Sequence, residues 1–189
     1  MIHQEIIDRL KSGNERFIAD QKSHAKHNSA VRNQLIEGQQ PFAIILSCAD
    51  SRVVPEYIFD AGLGELFVVR VAGNIANQSS IASIEYAVAH LNTTLIVVMG
   101  HQNCGAVNAA IQNADSSKHI VHLIDHIKPA MNLSNEVQNS TEVIKQNAIS
   151  SAKELKEKSK IIRDAVEQNV LEIRSAYYHL DSGAVTFID

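Results

Sequence analysis

FAIILSCADSR, residues 42–52, sets an unbroken apolar run directly against a cysteine, an acid and a base. A run this short and this apolar suits a strand covered on both faces, since a half-exposed strand alternates polar with apolar residues. LFVVRV at 66–71 and TLIVVMG at 94–100 have the same character. Between them, residues 79–90 carry Ile81, Ile84, Ala87 and Val88 at helical spacing, with Leu91 just beyond. Past His101 the pattern predicts helices to residue 111 and over 117–132. Residues 140–168 are rich in Glu, Lys, Ala and Leu and predict one long helix, or two joined near Ser159. LEIRSAYYHL at 171–180 reads as a strand, and DSG turns it into a short last strand over 184–187. Working back toward the start, residues 30–37 predict a short helix closed by Gly38, preceded by a polar stretch over 21–29. Ile2, Ile6, Ile7, Leu10, Phe17 and Ile18 place a helix over the first twenty residues, with Gly13 its weak point. Apolar strands alternating with helices predict an α/β fold: a mainly parallel sheet flanked by α-helices.

With 189 residues, the expected organisation is a single domain over 1–189, with 1–37 as an N-terminal helical arm. A net charge of −4 without a basic stripe excludes a nucleic-acid partner. No apolar run reaches the roughly 18 residues a membrane span needs. The charged, amphipathic N-terminus lacks the apolar block of a secretory signal, so the expected location is cytoplasmic.

The two cysteines, Cys48 and Cys104, are by default packed thiols. Their positions argue otherwise. Ligands in open α/β sheets collect beyond the carboxyl ends of the strands. The first apolar strand ends in Cys48, and the third ends at Gly100 and His101, three residues before Cys104. If those strands are neighbours, two sulfurs and an imidazole converge. That donor set suits a catalytic zinc whose fourth position is left to water, and thiolates disfavour magnesium and calcium. Cys104 would also open a helix, where the dipole favours a thiolate. Asp50 stands two residues past Cys48, within reach of the fourth position or its water, and Arg52 can grip its carboxylate through paired hydrogen bonds. A redox pair cycling a Cys48–Cys104 disulfide is a rival reading, weakened by the lack of a C-x-x-C spacing. His119, His122 and His126 lie on a predicted helix, but its apolar stripe (Ile120, Ile124, Ile127, Met131) points the imidazoles toward solvent.

C-A-D-S-R at 48–52 and H-Q-N-C-G at 101–105 resemble the C-x-D-x-R and H-x-x-C elements of the β-carbonic anhydrases. The likeness extends to LKSGNERF, VPEYIFDAGLGELFVVRVAGN, SIEYAVAHL and AYYHLDSGAV, nearly the whole chain. The resemblance implies a zinc-dependent lyase that reversibly hydrates carbon dioxide to bicarbonate and a proton through zinc-bound hydroxide. It implies Zn2+ held by Cys48, His101 and Cys104, with Asp50 a fourth ligand in a closed state, and Asp50 with Arg52 as the catalytic dyad. It further implies substrate contacts from Gln39, Tyr86 and the Gly105 amide, and a homodimer or dimer-based tetramer to which the N-terminal helix contributes through Ile2 and Ile6. Ile45 replaces the tryptophan of a regulatory bicarbonate pocket found in some members, although Arg70 occupies another of its positions. Ala61 replaces an aromatic of plant-type members. The alternative within the same family is a catalytically altered zinc protein, either a hydrolase of related small molecules or a zinc-stabilised binding module.

Overall fold

The computed structural model describes residues 3–23, 27–113, 117–134 and 139–189. The apolar runs form β1 (Ala43–Ser47), β2 (Leu66–Arg70) and β3 (Leu95–His101), joined by β4 (Glu172–Tyr178) and β5 (Val185–Phe187). They make one sheet in the order β2-β1-β3-β4-β5, parallel throughout except for the antiparallel pairing of β5 with β4. The helices are α1 (His3–Ile18), α2 (Ser29–Gln34), α3 (Pro55–Ile58), α4 (Gln78–His90), α5 (Gly105–Ile111), α6 (Lys118–Leu133), α7 (Ser140–Lys158) and α8 (Lys160–Glu167).

Both faces of the sheet are covered, which is why β1 and β3 carry no polar alternation. Ala43, Ile45, Leu95, Val97 and Met99 face α1 and α3. Ile44, Leu46, Ile96 and Val98 face α4, α7 and α8. Side-chain caps set the helix starts. Asn77 accepts from the Ser80 amide to open α4, and Asn139 accepts from the Glu142 amide to open α7. Ser159 explains the break in the long helical stretch: it ends α7, and its Oγ then caps α8 by accepting from the Ile162 amide. At the other end of the chain, α2 stops at Gln34, short of the predicted boundary near Gly38.

The N-terminal helix corrects one expectation. Ile6 is 2% exposed, packed with Ile7 and Leu10 into its own chain's core, and so offers no surface to a partner. Each such side chain stabilises the fold by about 1.5–3 kcal/mol through burial. Ile2 lies outside the described residues. Buried Asn14 locks the helix down, donating to the Ile58 and Gly183 carbonyls and accepting from the Val185 amide. The close approach depends on Gly13, where a Cβ would stand 2.0 Å from the Phe59 carbonyl oxygen.

Gly13→Ala is therefore expected to destabilise the protein by about 1–3 kcal/mol through overpacking. Thermal unfolding should show this as a lower Tm; an unchanged Tm would mean that α1 does not press on the end of α3.

Candidate metal centre

β1 lies between β2 and β3, and the chain leaves β1 toward one side of the sheet and later returns on the other. That reversal opens a crevice beyond the carboxyl ends of β1 and β3. Cys48 follows β1 directly, and His101 is the last residue of β3. The chain then turns through Asn103, at φ 55°, and Cys104 caps the start of α5.

The three side chains converge. One donor atom from each of Cys48, His101 and Cys104 lies within 4.8 Å of the others, and all three residues are buried. The sulfurs stand 4.0 Å apart. A disulfide would need about 2.05 Å. Two sulfurs bound tetrahedrally to one zinc, each at about 2.3 Å, would stand roughly 3.8 Å apart. The spacing fits a shared ion.

His101 carries the second sign of fit. Its Nδ1 lies 2.9 Å from the Gln102 carbonyl, which as an acceptor requires the proton on Nδ1. Nε2 is left as a bare lone pair, buried and without a hydrogen-bond partner. Metal-binding imidazoles are commonly fixed in this way. The Cys48 thiol is held well below its ordinary range, first by the hydrogen bond from Cys104 and then by the Gly73 amide, against the opposing effect of burial. Cys104 is pushed up by Cys48 and by burial. The sulfurs compete for one proton, an arrangement that a dication would replace with two thiolates. Among the described residues, no other group of His, Cys, Asp and Glu gathers three donors this closely.

Asp50 and Arg52 stand at the mouth. Arg52 donates from Nε to Oδ1 at 2.9 Å and from Nη2 to Oδ2 at 2.7 Å, and its backbone amide donates to Oδ1 at 3.0 Å. These bonds hold the Asp50 carboxyl well below the usual carboxylate range, with Arg52's side chain the largest cause and its backbone amide a smaller one. Asp50 Oδ2 lies 3.9 Å from His101 Nε2, at the edge of the donor trio.

Arg70 holds the loop from behind, donating from Nη2 to the Asp50 carbonyl at 2.6 Å and from Nε to the Cys48 carbonyl at 3.1 Å. Sequence reasoning missed this grip, although a signal existed. Arg70 ends β2, opposite Ser47 in the parallel register, and so must emerge beside Cys48.

Gly105 opens α5, is exposed and has open space where a Cβ would sit. Gln39 and Tyr86 lie elsewhere. Gln39 shares a groove with Ile6, His90, Thr93 and Thr94, at the amino end of the sheet. Tyr86, 51% exposed, stacks against Phe67 near the start of β2 and against His90. Of the α6 histidines, His119 and His122 are exposed, as expected. His126 turns partly inward, packing on His122 and facing Glu154 of α7 at 3.9 Å.

The family model described as "Carbonic anhydrase" matches residues 43–185. Carbonic anhydrase 2 of Mycobacterium tuberculosis is 37% identical over 186 residues, covering 95% of this chain and 90% of its own. The carbonic anhydrase of Mycolicibacterium smegmatis is 36% identical, covering 93% and 88%. Among solved structures, the β-carbonic anhydrase CcaA superposes with a TM-score of 0.76 at 25% identity, covering 98% of this chain and 87% of its own. A tetrameric β-carbonic anhydrase of Sordaria macrospora gives a TM-score of 0.76 at 24% identity, covering 98% of both chains.

Purified protein should carry one zinc per chain by elemental analysis, and cobalt(II) should replace it with a thiolate-to-metal absorption band. Cys48→Ser and His101→Ala are each expected to reduce bound zinc at least tenfold. Full zinc occupancy in either variant would mean that the ion sits elsewhere.

Proposed function

The chain belongs to the β-carbonic anhydrase family, and on that premise we propose that it catalyses the reversible hydration of carbon dioxide to bicarbonate and a proton. The carrying observation is the convergence of two buried sulfurs and an orphaned imidazole nitrogen beside a carboxylate that is already gripped by arginine. Cys48, His101 and Cys104 are the proposed zinc ligands. Zinc, when bound, supplies a Lewis acid that acidifies a water in the remaining position.

Asp50 and Arg52 do the orienting. An ionised carboxylate can only accept hydrogen bonds, so a water beside Asp50 must direct an O–H at Oδ2. Its free lone pair then points into the crevice, toward the carbon of an incoming CO2. Arg52, engaged at both Asp50 oxygens, keeps the carboxylate in that attitude and stops it from swinging toward the metal as a fourth ligand. The Gly105 amide, free at the first turn of α5, is the proposed donor to a bicarbonate oxygen. A zinc held only for structure would need no such dyad, which favours an enzyme over a binding module.

Gln39 and Tyr86 belong to the opposite end of the sheet within one chain, so their proposed contact with substrate is made in a neighbouring copy. The proposed assembly is therefore a homodimer or a dimer-based tetramer. The half-buried edge strand β2 and the likeness to a tetrameric fold support it. The proposed location is the cytoplasm, where free Cys48 and Cys104 would stay reduced. No described helix is long and apolar enough to cross a membrane.

Two thiolates offset the zinc charge, so the rate is expected to rise with pH above neutrality in stopped-flow CO2 hydration. Asp50, with its pKa lowered, stays ionised through that range and adds no acid limb of its own. Asp50→Asn should keep zinc but lose roughly 10–100-fold in rate; full activity would remove the dyad from the mechanism. Mixing Asp50→Asn with Gln39→Ala subunits should restore activity above the sum of the separate variants. Strictly additive activity would place Gln39 outside the neighbour's site.

A further inference from the structure

A buried asparagine on α7 reaches toward the proposed metal site without touching it. Asn147 is 1% exposed, and its Nδ2 donates to the Gly73 carbonyl at 2.7 Å. Gly73 sits in the one-turn 3-10 segment Ala72–Asn74 that links β2 to α4. Its own amide donates to Cys48 Sγ at 3.4 Å.

That turn has every reason to be loose. Gly73 adopts φ 71°, and glycine is the residue with the most backbone freedom to lose on folding. Without an external tie, the peptide on either side of Gly73 could rotate and withdraw its N–H from the sulfur. The Asn74 amide closes the turn on the Val71 carbonyl at 2.9 Å, and two contacts from outside the turn hold it further. The Val71 amide donates to the Ser47 carbonyl, anchoring the entry to the turn on the end of β1. Asn147 anchors the exit by gripping the Gly73 carbonyl. The side of Gly73 where a Cβ would project is filled by Ile127 of α6 at 2.9 Å, so no larger residue can stiffen the turn from within.

We propose that Asn147 is a positioning residue for the metal centre: by holding the Gly73 carbonyl, it fixes the Gly73 N–H on the Cys48 sulfur. A hydrogen bond to a thiolate draws electron density from sulfur and weakens its donation to a bound ion. An ion bound there keeps more of its positive charge, which partly offsets the damping effect of two thiolates. Burying an amide side chain at this cost would otherwise make little sense, since an apolar residue of the same size would pack as well without polar groups to satisfy.

The inference rests on the zinc reading of the site, and the test separates the two. In protein reconstituted with 113Cd, the Gly73 amide proton should show scalar coupling to the metal through the sulfur. In cobalt(II) protein, the thiolate-to-metal band should be present. Asn147→Leu, close in volume, is expected to retain metal, lose the Gly73 coupling and move the cobalt band to longer wavelength, with CO2 hydration reduced about tenfold. Ser151→Ala, one turn further along the buried face of α7, should leave all three readouts unchanged. Absence of any thiolate-to-cobalt band in the unmodified protein would overturn the metal site itself. If that band is present, no coupling at Gly73 in the unmodified protein, or an unmoved band in Asn147→Leu, overturns the role of Asn147 alone. The measurement on unmodified protein stands even if the leucine variant does not fold.

Discussion

Parallel pairing of β1 with β3 is the constraint on which the site depends. Their backbone ladder sets Ser47 opposite Met99, so the residues that follow emerge at the same edge of the sheet, one strand spacing apart. Cys48 and His101 meet because those two strands are neighbours, and Cys104 joins them because α5 begins at once. Remove the pairing and no local preference would bring these donors together. The apolar bulk of both strands, covered on two faces, makes the pairing durable.

The same convergence creates an electrostatic problem. The Cys48–Cys104 sulfur pair and the Asp50 carboxylate crowd one end of the sheet, and like charges at short range raise one another's pKa values. Arginines answer it from two directions. Arg52 neutralises Asp50 through a two-pronged grip in the mouth. Arg70 works from behind, on the carbonyls of Cys48 and Asp50, and so stiffens the loop while adding positive charge. A dication held by Cys48, His101 and Cys104 would complete the balance.

Much of this was legible in the sequence, and the reason is physical. The strands of a doubly covered sheet have no polar alternation, so residues 42–47 and 94–100 announce themselves. Their ends then locate Cys48 and His101. The break at Ser159 was visible because serine is a good helix cap and a poor helix interior. What stayed hidden depends on packing between distant segments. Ile6 belongs to an amphipathic helix, and the pattern alone does not say whether its apolar stripe meets its own sheet or a partner's. His126 turns toward Glu154 only because α6 lies against α7. Asn147 looks like an ordinary polar residue on a surface helix, and nothing in its neighbours marks it as the most buried kind of asparagine.

Sheet length also bears on how large the working unit must be. β1 has five residues, which span roughly 16 Å at about 3.3 Å each. Gln39 precedes the strand and Cys48 follows it, so within one chain the whole strand separates them. No rotamer change spans such a gap, because a glutamine side chain is only a few ångströms long. A role for Gln39 at the metal therefore requires the amino end of one sheet to meet the carboxyl end of another. The same holds for Tyr86, whose ring lies against Phe67 near the start of β2. The fold thus assembles the metal ligands and the Asp50–Arg52 pair within a single chain, while any contribution from Gln39 and Tyr86 is a property of the assembly. Stability of the metal centre would then be separable from completeness of the substrate cleft, because only a contribution from Gln39 or Tyr86 would depend on a surface between copies.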